Sequence, residues 1–135
     1  MSDASETDTD LMDRARTIRG NAWAPYSGYR VGAALLDEQG RVHVGCNVEN
    51  AAYPLGSCAE TAAIAAMIAA GAKKIRVIAI AGGRDAVVPS TPCGGCRQRI
   101  AEFADAGTRV IVLGEGSDAR EYGIAELLPD SFHLA

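Results

Sequence analysis

Aromatic residues are scarce in this chain: two Phe, one Trp and four Tyr amount to 5% of it. Histidine is scarcer, and the two that occur, His43 and His133, are isolated from each other, and neither is assigned a metal role. A basic surplus is missing as well. The net charge is −4, and the acidic residues concentrate in the first thirteen positions. Nucleic-acid binders carry a basic face to neutralise phosphates, so no nucleic-acid partner is expected. The densest basic run, Arg14, Arg16 and Arg19, reads as the solvated face of a helix. The longest apolar run, residues 62–72, is too short to span a bilayer, which excludes a helical membrane partner. Residues 1–13 lack the basic start and apolar core of a secretory signal. A soluble cytoplasmic protein is therefore expected. In that compartment four cysteines speak for metal or redox chemistry rather than disulfides.

The chain does have apolar residues (48%) and glycine (15 of 135), which suits one α/β domain over residues 1–135 with small-residue packing. Residues 1 to about 8 have a disorder-like composition. Leu11, Ala15, Ile18 and Ala22 then follow helical spacing, which predicts an amphipathic helix from about Thr9 to Ala22 or Trp23, ended by Pro25. Residues 31–36 and 41–48 read as a hairpin across a turn at 37–40. In its second strand Val42, Val44, Cys46 and Val48 share one face, expected to be core. His43, Gly45, Asn47 and Glu49 share the other.

A loop over 50–56 leads to a helix predicted to start at Cys58, with Ser57 as N-cap and Gly71 just past its end. Its residues 61–72 carry no charge, so both the domain and a neighbouring subunit are expected to cover it. Residues 75–81 read as a buried parallel strand. Thr91 is the expected cap of a third helix reaching about Ala104, with Pro92 in its first turn. A strand at 109–113, a loop at 114–119 and a short helix at 124–128 close the chain. The pattern predicts a three-layer α/β/α sandwich with a mixed sheet.

The chemistry concentrates in Ser57-Cys58-Ala59-Glu60 and Pro92-Cys93-Gly94-Gly95-Cys96. Structural zinc is closed by four protein ligands, whereas catalytic zinc uses three and leaves one position for water. Cys58, Cys93 and Cys96 make the second kind of set, with a redox dithiol as the competing reading of Cys93 and Cys96. Cys46, alternating with Val44 and Val48, is read as core filler and not as a fourth ligand. Ser57-x-x-Glu60 is also a capping box, so on the motif alone Glu60 is either a helix cap or the proton carrier of a metal site.

These two motifs resemble the zinc-dependent cytidine deaminases, in particular their small homotetrameric class. The likeness extends in order through Pro25-Tyr26-Ser27, residues 31–35, Asn47-Val48-Glu49-Asn50-Ala51-Ala52-Tyr53, Arg97-Gln98, residues 126–129 and Phe132. It implies a cytidine deaminase-like fold and one zinc per subunit, held by Cys58, Cys93 and Cys96. Glu60 would be the catalytic acid and base in hydrolysis of cytidine and 2′-deoxycytidine. The resemblance further implies that the Ala59 N–H and the Thr91 carbonyl bind the base, and that Asn47 and Glu49 bind the ribose. Tyr29 would line the pocket, while Tyr53 and Phe132 would reach a neighbouring subunit's site in a homotetramer. Two departures stand out. Thr61 occupies a position where many relatives have arginine to offset the thiolate charge, leaving that task to Arg97 or the helix dipoles. Tyr29 stands where phenylalanine is common, adding a hydroxyl that needs a partner.

Two other readings predict different things. A deaminase of a modified nucleoside, such as the antibiotic blasticidin S, would keep the zinc chemistry but not need the Asn47 and Glu49 pair. A structural zinc module that binds a partner would need a fourth ligand.

Overall fold

A computed structural model describes residues 2–134, with side chains from Thr7 onward. Helix α1 (Ser2–Arg19) leads into a hairpin of β1 (Arg30–Asp37) and β2 (Val42–Cys46), followed by a single 3-10 turn (Tyr53–Leu55). Then come α2 (Ala59–Ala69), β3 (Ile75–Gly83), α3 (Gly94–Glu102), β4 (Arg109–Leu113), β5 (Ala119–Gly123) and α4 (Ile124–Leu127). The strands form one sheet in the order β2-β1-β3-β4-β5. Only β3 and β4 run parallel, and the other neighbours are antiparallel. Among the described residues no helix is long and apolar enough to cross a membrane.

Alternating side chains along β1, β3 and β4 divide the core in two. On one face Leu11 and Ala15 of α1 meet Ala34, Val77, Ala79, Ala81, Ile111 and Leu113. On the other, Ala59, Ala63, Ile64 and Met67 of α2 and Ile100 of α3 meet Ala33, Leu35, Ile78, Ile80, Val110 and Val112. The sheet thus lies between helical layers, as the element pattern predicts.

Several boundaries differ from the sequence expectation. Helix α1 starts at Ser2 rather than near Thr9. Its acidic first half suits a helix N-terminus, and Asp8 is gripped by both Nη atoms of Arg109 at 2.8 and 2.9 Å. Of the residues 1 to about 8 expected to be disordered, Met1 lies outside the described residues and Ser2 to Asp8 fall within α1. The helix ends at Arg19, three residues early, because Trp23 is drawn into extended pairing with the Asn47–Glu49 backbone. Strand β5 replaces the far end of the expected 114–119 loop. It is an edge strand of exposed, mostly polar residues, with no alternation to announce it.

The two faces of β2 are reversed relative to the expectation. Val44 and Val48 are 37% and 48% exposed, and Cys46 is half-buried. The covered residue is Gly45, where an added Cβ would stand 2.4 Å from the Ala63 nitrogen and 2.7 Å from the Ala59 oxygen. Alternation separates two faces but does not say which one a helix will choose. Here α2 chose the smaller one, because only glycine lets its backbone come so close. The C-terminus of α2 follows the expectation: Gly71 has φ +92°, and its N–H and that of Ala72 bond back to the Ile68 and Met67 carbonyls.

Because α2 rests on bare backbone at Gly45, Gly45→Ala is expected to push it off the sheet. The overpacking cost is about 1–3 kcal/mol, readable as a loss of several degrees in melting temperature, whereas Gly94→Ala, in open space and without a positive φ, should cost less.

Candidate active site

The first turns of α2 and α3 converge on a cavity also lined by Val31 of β1 and Ile80 of β3, and each helix is capped by a cysteine. Cys58 is the N-cap of α2 and Cys93 that of α3, where its Sγ accepts the Cys96 N–H at 3.4 Å. The expected caps, Ser57 and Thr91, are thus displaced by one and two residues, and Pro92 falls just before the cap rather than inside the first turn. The reason at Ser57 is its backbone, which pairs in extended form with Val48 at 2.9 and 3.0 Å. The Ser57-x-x-Glu60 capping box therefore does not form, and Glu60 is free of that duty.

The Sγ atoms of Cys58, Cys93 and Cys96 lie within 4.8 Å of one another, and no other His, Cys, Asp or Glu among the described residues joins the group. Tetrahedral zinc at about 2.3 Å from each sulfur requires sulfurs about 3.8 Å apart, so the set fits that ion with small adjustments. Cys46 stays outside the group, as expected. A hydrogen bond from Cys96, then Cys93 and the Arg99 guanidinium, pull the Cys58 thiol down to about 6 against the effect of burial. The Cys58 thiolate and burial push Cys96 the other way. Among themselves the three sulfurs do not all ionise readily, and a cation is what lets them do so.

Glu60, in the first turn of α2, is 4% exposed. Burial raises its carboxyl above the ordinary range, and the Cys58 charge adds to this; its own amide, Cys96 and Arg99 pull in the opposite direction. It sits on a cavity of about 500 Å³. That volume lies in the range of small-ligand sites. Of the residues singled out in the sequence, Tyr29, Asn47, Glu49, Tyr53, Cys58, Ala59, Thr91 and Cys93 all line it with Glu60.

The upper wall is braced by hydrogen bonds. Asn47 Oδ1 accepts the Val31 N–H at 2.8 Å and its Nδ2 donates to the Tyr29 carbonyl at 2.9 Å. Glu49 accepts the Tyr26 and Ser27 amides at 2.9 and 3.1 Å and the Ser27 hydroxyl, which lowers its pKa. The hydroxyl of Tyr29 finds its partner in Ser90, which itself donates to the Val88 carbonyl at 3.0 Å. Tyr53 packs edge-on to Tyr26 at 6.1 Å and is 77% exposed at the rim of this subunit's own cavity. Phe132 does not line the cavity. Its backbone is tied to the Gln98 side chain at 2.7 and 3.0 Å while its ring is 70% exposed.

Ser27, Ser90 and Arg99 were not singled out in the sequence. Ser27 and Ser90 act through hydroxyls whose partners, Glu49 and Tyr29, are distant in sequence, which no local spacing reports. Arg99 left a trace, since it stands three residues after Cys96 on one helix and so on the same face. Arg97, expected beside the thiolates, instead donates to the Pro92 and Leu127 carbonyls at 2.7 and 2.9 Å.

The family model of the cytidine and deoxycytidylate deaminase zinc-binding region matches residues 5–113. Cytidine deaminases of Halalkalibacterium halodurans and Sporosarcina psychrophila are 42% and 38% identical over 122 residues, covering 90% of this chain and 91% and 88% of theirs. The crystal structure of cytidine deaminase from Burkholderia pseudomallei superposes with a TM-score of 0.84 at 40% identity, covering 92% of this chain and 98% of that one. That of the Mycobacterium tuberculosis enzyme superposes at 0.80 and 36%, covering 93% and 97%. With its three-cysteine cluster, buried carboxyl and α/β frame, the chain belongs to the zinc-binding cytidine and deoxycytidylate deaminase family.

Proposed function

We propose that this chain deaminates cytidine and 2′-deoxycytidine by hydrolysis, giving uridine and 2′-deoxyuridine with release of ammonia, as a step of pyrimidine salvage in the cytoplasm. The observation that carries this reading is Glu60: a buried carboxyl with a raised pKa, two residues from one of three converging thiols, facing a nucleoside-sized cavity.

Cys58, Cys93 and Cys96 would hold the zinc, which supplies the Lewis acid that makes water a nucleophile near neutral pH. Glu60 takes a proton from the attacking water and passes it to the ring nitrogen of the cytosine. A second transfer through Glu60 protonates the departing amino group, so one water is consumed and one ammonia leaves. A buried carboxyl whose pKa is raised holds a proton more readily than an ordinary carboxylate, which suits a group that takes one from water and passes it on. The Ala59 N–H donates to the 2-carbonyl of the base, and the Thr91 carbonyl accepts from its amino group. Asn47 and Glu49 bind the ribose hydroxyls. Each end of the Asn47 amide already makes one backbone bond, which leaves a lone pair and a hydrogen for the sugar. Tyr29 forms the wall beside the ring.

A homotetramer with shared sites completes the reading. It is supported by the uncharged outer face of α2, where Ala65, Ile68 and Ala69 are exposed, and by the exposed rings of Tyr53 and Phe132. Contiguous apolar surface of this kind is rare on monomers. Tyr53 and Phe132 would each lie near a neighbour's cavity.

Glu60→Gln is expected to keep its fold and one zinc per chain while deamination falls by about two to four orders of magnitude, followed by the ultraviolet change of cytidine. Near-parental turnover would end the mechanistic assignment. Metal analysis separates the cysteines: Cys58→Ser loses zinc, whereas Cys46→Ser retains one ion per chain. Asn47→Ala is expected to raise KM for cytidine about tenfold, the loss of one good polar contact, with a smaller change in kcat. An unchanged kcat/KM would remove Asn47 from the ribose site.

A further inference from the structure

We propose that Arg99, on the outer side of α3, is the positioning residue that offsets the surplus charge of the three-thiolate centre, in place of a cation at position 61. This rests on the metal-holding reading of Cys58, Cys93 and Cys96. Three thiolates around a divalent ion leave one negative charge over, and a nearby cation is needed to keep that centre electrophilic. Arg99 Nη1 lies 3.9 Å from Sγ of Cys96, a cysteine with no solvent exposure. Among the described residues no other Lys or Arg side chain donates to a cysteine sulfur, and Arg97 is committed to two backbone carbonyls.

Two further observations place Arg99 there by arrangement. A Cβ added at Gly95 would meet Arg99 Nη1 at 3.0 Å, with Cys93 Sγ at 4.0 Å, so the bare backbone at 95 is the bed on which the guanidinium lies beside the sulfurs. Across the groove between α2 and α3, Thr61 Oγ1 is buried with no hydrogen-bond partner. Thr61 and Arg99 line one cavity of about 410 Å³ together with Glu102. Among the described residues Arg99 forms no ion pair with Glu102 or any other carboxylate, so its charge remains available to the sulfurs. The unpaired hydroxyl marks room for a longer polar side chain from α2 in the same cavity that Arg99 lines.

The test is zinc affinity, measured by chelator competition on the folded full-length chain with melting temperature alongside. Arg99→Met is expected to weaken zinc about tenfold, the lower end of what losing such a partner costs. Arg99→Lys should stay within about threefold of the parent, since it keeps the charge but not the fork. The decisive variant is Thr61→Arg added to Arg99→Met, which recovers the lost affinity if charge offset is the role. Gly95→Ala, which crowds the guanidinium while leaving every charge in the chain, weakens zinc in the same direction and keeps the test independent of whether Arg99→Met folds. Equal affinity of Arg99→Met and the parent, or no recovery with Thr61→Arg, overturns the proposal. A parent chain that binds no zinc would instead overturn the metal-holding reading itself.

Discussion

Mutual repulsion among three thiolates is the constraint on which this structure turns. Bringing Cys58, Cys93 and Cys96 within 4.8 Å is unfavourable unless positive charge is supplied. The fold supplies part of it before any ion arrives. Two helices begin at the cluster, and each offers the partial positive charge of its N-terminus and free amides. One of those amides, that of Cys96, is aimed at Cys93 Sγ. This explains why cysteines, poor N-caps by preference, occupy the cap positions that Ser57 and Thr91 seemed made for. A thiolate at a cap is stabilised by the helix and stabilises it in return.

The same convergence sets the properties of Glu60. Its place in the first turn of α2 puts it beside a negative centre and out of water, and both effects favour the protonated carboxyl. Its own amide, Cys96 and Arg99 pull in the opposite direction, by less than burial and the Cys58 charge push it up. A carboxyl raised in this way accepts a proton more readily than an ordinary one, a property wanted of a proton shuttle. The position of the shuttle depends on α2, and that of α2 on Gly45, so a missing side chain on an edge strand determines where the carboxyl sits.

What was legible in the sequence follows from the range of the forces involved. Strand β4 and the Gly71 helix stop were readable because each is dictated locally, by a run of branched residues or by a positive φ. The cysteine and glutamate motif was readable because zinc chemistry restricts residue types and spacing so tightly. The choice of face on β2 was not, since Val44 and Val48 look like core until the helix that could cover them packs elsewhere. Strand β5 escaped because its order comes from pairing with β4 across the full register from Arg109 to Leu113, a contact its own residues do not announce. The true caps escaped for a related reason: Ser57 is claimed by Val48, a partner nine residues back.

The arrangement around Arg99 shows how a charge requirement can be met from more than one helix. The sulfurs require a nearby cation but not a given helix to provide it. A side chain at position 61 would approach from α2, the helix that also carries Cys58 and Glu60. Arg99 approaches from α3, on the face of the C-x-x-C motif, and reaches Cys96 rather than Cys58. Its stem is exposed, so water and salt screen it more than they would a cation buried between the helices. The charge is thus matched in sign but held less firmly than one buried between the helices would be. Electrostatic balance constrains the sum of charges at a metal centre tightly and their placement loosely, and Thr61 with Arg99 is a solution that meets the first condition by relaxing the second.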